Sequence, residues 1–212
     1  MGAPYSGKPQ TRRGTRLSLV TAIVERPRVL ADVIPGGLAR DAALVLGGAG
    51  FVGLLAQWAI TLPFTPVPLT LGTFAVLLTG AALGTARGLA SIGIYVAAGM
   101  AGVPWFAGHS SGWGFPSFGY LIGFVVAATL VGALAARGGD RTVLKTIGLM
   151  ILGNLVIYAI GVPYLAANTG MDLATAIDKG ATPFLLGDAV KIVLAAGLLP
   201  TAWALVRRVR DN

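Results

Sequence analysis

Asp188 and Lys191 stand three residues apart inside an apolar run from Gly180 to Val206. A charge carried into a bilayer-spanning segment costs about 2.5–3.5 kcal/mol on insertion scales, so such residues face the protein interior and mark functional sites. The i,i+3 spacing puts both side chains on one helix face, where each neutralises the other. In the preceding apolar run, Asn154 and Tyr158 are four apart and also share a face. The helical rise places Asp188 roughly 10 Å and Lys191 roughly 15 Å below the start of their run. Asn154 and Tyr158 fall roughly 12 and 18 Å from the opposite edge of theirs, so the four polar groups occupy one layer. Convergent polar groups in apolar surroundings are what a small-ligand pocket requires. The alternative is a static pair that fixes helix packing, with Asn154 as an interhelical hydrogen bond of about 1 kcal/mol. A permanently buried pair gains little over apolar packing, which favours the ligand reading.

Other chemistry is excluded. The chain has no cysteine and one histidine, His109, which leaves no thiolate or histidine metal set and no catalytic triad. It has no Gly-x-Ser-x-Gly, no His-Glu-x-x-His and no phosphate loop. An enzyme is therefore not expected, nor a cofactor or a metal. Active transport would need an ion gradient or a partner to supply energy.

The composition demands a membrane bundle to position these residues. Of 212 residues, 55% are apolar and 11% charged, against about 25% charged in a soluble domain. Spanning a bilayer takes about 20 mostly apolar residues. Five uncharged windows qualify: residues 42–62, 67–86, 88–108, 118–136 and 146–167. The window 180–206, with its acid and base, makes a sixth. The expected fold is an all-α, six-transmembrane-helix bundle in the plasma membrane. Fourteen of the sixteen basic residues fall on the side of the termini, which predicts both termini cytoplasmic. The charge of +8 is then a topology signal and a surface for anionic lipid, not a nucleic-acid site.

The expected organisation is a basic tail over 1–40, a membrane substrate-binding domain over 41–207, and a cytoplasmic end over 208–212. No cleavable signal peptide is expected, since residues 1–16 are polar and basic and are expected to be disordered. Residues 17–34 alternate apolar and charged groups, with Pro27 breaking any single helix. They are either an interfacial segment or a loose tail.

Two outer connections, Leu62–Pro68 and Phe106–Phe118, are too hydrophobic for solvated loops and are expected to fold over the bundle as a lid. Trp58, Trp105 and Trp113 serve equally well as interfacial anchors. Gly80, Gly84 and Gly88 recur every four residues and allow close helix approach. In the first window, Ala43 with Gly47 and Ala49 with Gly53 form two small-xxx-small pairs. By pattern alone their partner is an internal neighbour or a separate protein, the first being favoured.

Several ordered segments resemble the BioY family of biotin transporters. They are Pro66-Val67-Pro68-Leu69-Thr70-Leu71, the run Gly80 to Gly88, the run Tyr95 to Gly108, Tyr158-Ala159-Ile160-Gly161-Val162-Pro163-Tyr164-Leu165, and Gly187-Asp188-x-x-Lys191. Two positions depart from the family pattern. Gly72 stands where a glutamine is usual, and Phe115-Pro116-Ser117-Phe118-Gly119-Tyr120 stands where a Gly-Pro-Thr-Gly-Gly-Tyr run is usual.

The resemblance implies a substrate-binding S component of an energy-coupling factor (ECF) transporter. Such a subunit captures biotin from outside while a transmembrane coupling subunit and two ATPase subunits supply energy. It implies binding near the outer face by Asp188, Lys191, Asn154, Tyr158, Tyr120, Tyr95 and Thr70. Small residues of the first helix contact the coupling subunit in the family. Ala49 and Gly53 are then the first candidates, Ala43 and Gly47 the next. Biotin's ureido ring has two N–H donors and one acceptor, which an aspartate and an ammonium complement. The carboxylate would point outward, although a reversed pose with Lys191 on the carboxylate is chemically allowed. An S component for another vitamin and a non-transport assembly protein stay open as alternatives.

Overall fold

A computed structural model of the chain describes Gly2 and residues 28–211. The basic residues Lys8, Arg12, Arg13, Arg16 and Arg26, and residues 1–27 of the tail expected over 1–40 apart from Gly2, lie outside the described residues. Among the described residues the fold is all-helical but for one two-stranded ladder and an isolated bridge between Phe106 and Ser110. Its helices are α1 (Leu38–Ala56), α2 (Gly72–Met100), α3 (Phe118–Ala135), α4 (Val143–Thr169), α5 (Leu173–Gly180) and α6 (Leu185–Asp211). By length and composition, five helical stretches among the described residues can cross a membrane: α1, α2, α3, α4 and the run 173–210 that joins α5 to α6. Exposure is inverted relative to a soluble protein. Leu144 and Leu186 are each 80% exposed, while Asp188 and Lys191 are 4% and 7% exposed.

The windows at 67–86 and 88–108 meet within α2. At Gly84 the backbone turns to φ 83°, ψ −176°, a region essentially restricted to glycine. The two halves then fold back on each other. A Cβ at Gly88 would lie 3.2 Å from the Cα of Gly80, whereas residues eight apart in a straight helix are about 12 Å apart. The reversal falls three residues before Arg87, where the charge pattern placed the connection. Gly80 and Gly132 make the hairpin possible. A Cβ at Gly80 would come within 2.6 Å of the Ala128 carbonyl, and one at Gly132 within 2.6 Å of the Gly84 carbonyl carbon. α3 thus packs backbone to backbone against both halves of α2, and α4 packs on α3.

The first and third windows end earlier than their hydropathy suggests. α1 stops at Ala56 because the chain pairs beyond it. Ala59–Ile60 (β1) lies antiparallel to Leu69–Thr70 (β2), with Ala59 opposite Thr70. α2 stops at Met100, where Gly102 takes φ 108°. Pro183 starts the turn Thr182–Phe184 that separates α5 from α6.

The end of the bundle at Gly84 is tied by charges. Val29 covers Gly84, its Cγ1 being 3.2 Å from a built Cβ. Arg87 bridges Asp32 (2.9 Å) and Asp41 (3.0 Å). Arg40 donates to the carbonyls of Ala31 and Ile34. Residues 28–34 of the expected tail are therefore docked on the bundle. Asp140, fully buried, accepts from Trp203 Nε1 at 2.6 Å. The Arg141 guanidinium lies 3.5 Å from the Trp203 ring centroid. Desolvation pushes the Asp140 carboxyl above the usual carboxylate range, against the pull of Trp203 and Arg141.

Candidate functional site

At the opposite end, a cavity of about 600 Å³ including its mouth opens among α2, α3, α4, α6 and the β2 segment. Its floor holds Asp188 and Lys191. Asp188 Oδ1 accepts from Lys191 Nζ at 3.1 Å, and Asp188 Oδ2 accepts from the Tyr158 hydroxyl. Lys191 Nζ also donates to Thr73 Oγ1 at 2.9 Å. Three separate helices therefore converge on the pair: α2 through Thr73, α4 through Tyr158 and α6 through the pair itself. An ammonium has three protons and two are committed, so one remains for a ligand. Each carboxylate oxygen keeps a second lone pair. The floor thus offers one donor and adjacent acceptors.

The walls are aromatic and aliphatic. Tyr120 meets Tyr158 edge to face at 6.4 Å and donates to the Gly180 carbonyl at 2.8 Å. Tyr95 is 1% exposed overall, lines the cavity, and packs on Trp105 and Phe106 with ring centroids 5.4 and 5.3 Å away. Phe124, Leu121, Phe184 and Val67 complete the apolar lining. Thr70 lines the mouth, and its Oγ1 accepts from the Gly72 N–H at 3.0 Å.

The 62–68 and 106–118 connections both fold over this end of the bundle. Thr65 Oγ1 donates to the Lys179 carbonyl at 2.7 Å, and Lys179 Nζ donates to the Phe64 carbonyl at 3.1 Å. These bonds tie the 62–68 connection to α5. The other connection is stitched by Gln57, whose Nε2 donates to the carbonyls of Trp105 (2.7 Å) and Phe106 (3.2 Å). Its Oε1 accepts from the His109 N–H.

Of the residues singled out by sequence, Asp188, Lys191, Tyr158, Tyr120, Tyr95 and Thr70 line one cavity. Asn154 does not. It borders a smaller space of about 180 Å³ behind Lys191, shared with Thr73 and Met150. The layer estimate was sound in depth, but the azimuth of α4 turns Tyr158 to the main cavity and Asn154 past it. Thr73, Gln57 and Phe184 were missed. Thr73 is a polar residue in an apolar window, which was a visible signal, but only tertiary packing aims it at Lys191.

The α1 assignments need correction. Ala49 is 1% exposed and Gly53 is buried. A Cβ at Gly53 would lie 3.0 Å from the Trp105 ring, so Gly53 receives an internal aromatic and both residues are buried within the chain itself. Ala43 and Gly47 are exposed instead and line an open groove with Leu44, Phe51, Leu78 and Leu83. Ala43 with Gly47 and Ala49 with Gly53 sit on different faces because the helical period is 3.6 residues.

The departure at residues 115–118 is absorbed by packing. Phe118 meets Phe115 at 5.6 Å and Tyr164 at 6.1 Å, and Phe115 meets Phe106 at 6.0 Å. An aromatic chain thus runs from Tyr95 across the lid to Tyr164. Gly72 lines the cavity with only 3.0 Å between a built Cβ and Thr70 Oγ1, so the lid approaches the helix closely there.

A helical membrane bundle with a polar-floored, aromatic-walled cavity under an ordered lid defines a multi-pass membrane protein with a solute-binding site. The chain belongs to the BioY family, whose model matches residues 22–208. It is 39% identical over 161 residues to the probable biotin transporter BioY of Pyrococcus horikoshii, covering 74% of this chain and 92% of the relative. It is 36% identical over 146 residues to the biotin transporter BioY of Thermotoga maritima, covering 68% and 84%. Its fold resembles the crystal structure of an S component for biotin from an ECF-type ABC transporter, with a TM-score of 0.67 and 22% identity. That match covers 82% of this chain and 92% of the other.

Proposed function

We propose that this protein is a biotin-capturing membrane subunit that takes the vitamin from outside the cell, energised by a transmembrane coupling subunit and two ATPase subunits. The observation that carries this reading is the donor and acceptor set left open at the cavity floor. One Lys191 proton faces a ureido carbonyl, and the free lone pairs of Asp188 face its N–H groups. Tyr95, Tyr120 and Phe124 flank the fused rings, and the valerate carboxylate points to the mouth at Thr70, where a charge keeps its water. Asn154 acts from behind, on the space next to Lys191.

The bundle crosses the membrane six times, the halves of α2 on either side of Gly84 being separate crossings, and both termini are cytoplasmic. The reversal at Gly84 and the gathering of Arg87, Arg137, Arg141 and Lys145 toward that end support this arrangement. The test is titration calorimetry of the detergent-purified chain with biotin, thiamine and riboflavin. Tight binding of biotin alone is expected. Binding of thiamine or riboflavin in its place would assign a different substrate.

The coupling subunit is assigned to the groove of Ala43 and Gly47. Gly47 has open space where a Cβ would stand, so Gly47→Leu leaves the cavity intact. Its biotin Kd is expected within about twofold of the parent, as for a surface change. Assembly with the coupling subunit weakens by about 1–3 kcal/mol through overpacking, read as lost co-purification and uptake. Normal uptake by this variant would place the interface elsewhere.

A further inference from the structure

A second groove lies at the Gly84 end, far from the biotin cavity and unused by the function above. The end of α3 and the first turns of α4 form its walls, with Leu134, Arg137, Lys145, Gly148, Leu149 and Leu152 along it. Its space is about 660 Å³ including the open solvent at its mouth. Arg137 and Lys145 are exposed, and neither makes an ion pair among the described residues. The one carboxylate of this connection is Asp140, and it turns inward to Trp203 and is fully buried. Among the described residues the groove therefore carries two cations and no exposed acid.

Its depth matters as much as its charge. Lys145 to Leu152 spans about 10 Å of helix, so the groove descends from a cationic rim onto an apolar floor. Gly148 opens that floor, with nothing within 4 Å of a built Cβ. Beside it, Leu144, Ile151 and Leu155 are exposed to the surrounding apolar phase. A cationic rim above an apolar channel matches one occupant: a phosphate-bearing head group with an acyl chain beneath it.

We infer that this groove is a specific site for an anionic phospholipid, with Arg137 and Lys145 on the phosphate and the Gly148 face under the acyl chain. The inference rests on the reading of the chain as a membrane bundle, and is independent of the ligand at Asp188. A soluble phosphate would use the rim alone and leave the channel empty. The groove continues past its rim onto Gly148, Leu149 and Leu152, where a chain attached to the head group would lie. A protein segment would have to bring its own acid to this rim and an apolar side chain to the floor.

The test is native mass spectrometry of the full chain in detergent, titrated with phosphatidylglycerol or phosphatidylcholine of the same acyl chains, with glycerol phosphate as competitor. One saturable equivalent of phosphatidylglycerol is expected, with phosphatidylcholine weaker and glycerol phosphate unable to displace it at comparable concentration. Arg137→Ala and Lys145→Ala should each weaken binding about fivefold. Gly148→Phe keeps both cations but fills the channel, and should weaken it as well. Arg207→Ala removes an exposed cation outside the groove and should have no effect. Equal binding of the two lipids would overturn the assignment. So would an equal loss in Arg207→Ala, unchanged binding by Gly148→Phe, or displacement by glycerol phosphate. Protection of the groove by the coupling subunit with no phospholipid binding would make it a protein interface instead. Biotin titration of the same variants should be unchanged, which separates failure here from failure of the biotin assignment.

Discussion

Lys191→Ala is expected to weaken biotin binding by roughly 2–5 kcal/mol, about 30-fold to several thousandfold in Kd. It removes the donor to Asp188 Oδ1 and leaves that buried carboxylate with Tyr158 alone. Asp188→Asn should fall in the same range, since it removes the negative charge opposite a buried ammonium and leaves only neutral acceptors, the new amide oxygen and Thr73. A purely structural pair would also matter for stability, so a double variant separates the roles. Asp188→Leu combined with Lys191→Met removes both charges at once. Replacing a buried pair by apolar groups is often neutral or stabilising, so thermal unfolding should change little while biotin binding is not recovered. Calorimetry and unfolding of the same samples decide it. Wild-type affinity in any folded single variant would remove the pair from the binding site.

The second large effect lies at the α2 reversal. Gly84→Ala forces a side chain into a backbone region that costs about 1–3 kcal/mol, with its Cβ 3.2 Å from Val29. Gly132→Leu should destabilise more, because even its first carbon falls 2.6 Å from the Gly84 carbonyl carbon and 2.7 Å from the Thr85 nitrogen. Backbone atoms cannot step aside as a flexible side chain can. The two sites touch, so their effects should not add. Gly93→Ala is the control. Nothing lies within 4 Å of its built Cβ, and alanine favours a helix by about 1 kcal/mol over glycine. Thermal unfolding followed by circular dichroism should give strong losses at positions 84 and 132 and none at 93. A Gly84→Ala protein as stable as the parent would mean that the reversal does not hold the two halves together.

Much of the site was legible because a membrane makes polar residues conspicuous. Asp188, Lys191 and Tyr158 stood out against apolar runs, and helical rise alone gave their common depth. The lid was legible for a related reason: prolines and aromatics in a connection are too apolar for water. Azimuth was not legible. Spacing relates residues on one helix but does not orient that helix to its neighbours, and so Asn154 was placed in the cavity rather than behind it. The same gap misassigned Ala49 and Gly53. Small-xxx-small spacing marks a close approach without saying to what, and here the guest is Trp105.

The sequence by itself determined that this chain is a helical membrane protein, roughly where its long apolar helices lie, and which acid and base share a face. Those properties follow from hydropathy and helical period, which are local. Only the tertiary structure decided that α2 reverses at Gly84, that Thr73 and Tyr158 reach the pair from two other helices, and which face of α1 is open. Each depends on contacts between residues far apart in the chain, as between Thr73 and Lys191. Close packing of rigid helices fixes those contacts together, and no single segment encodes them.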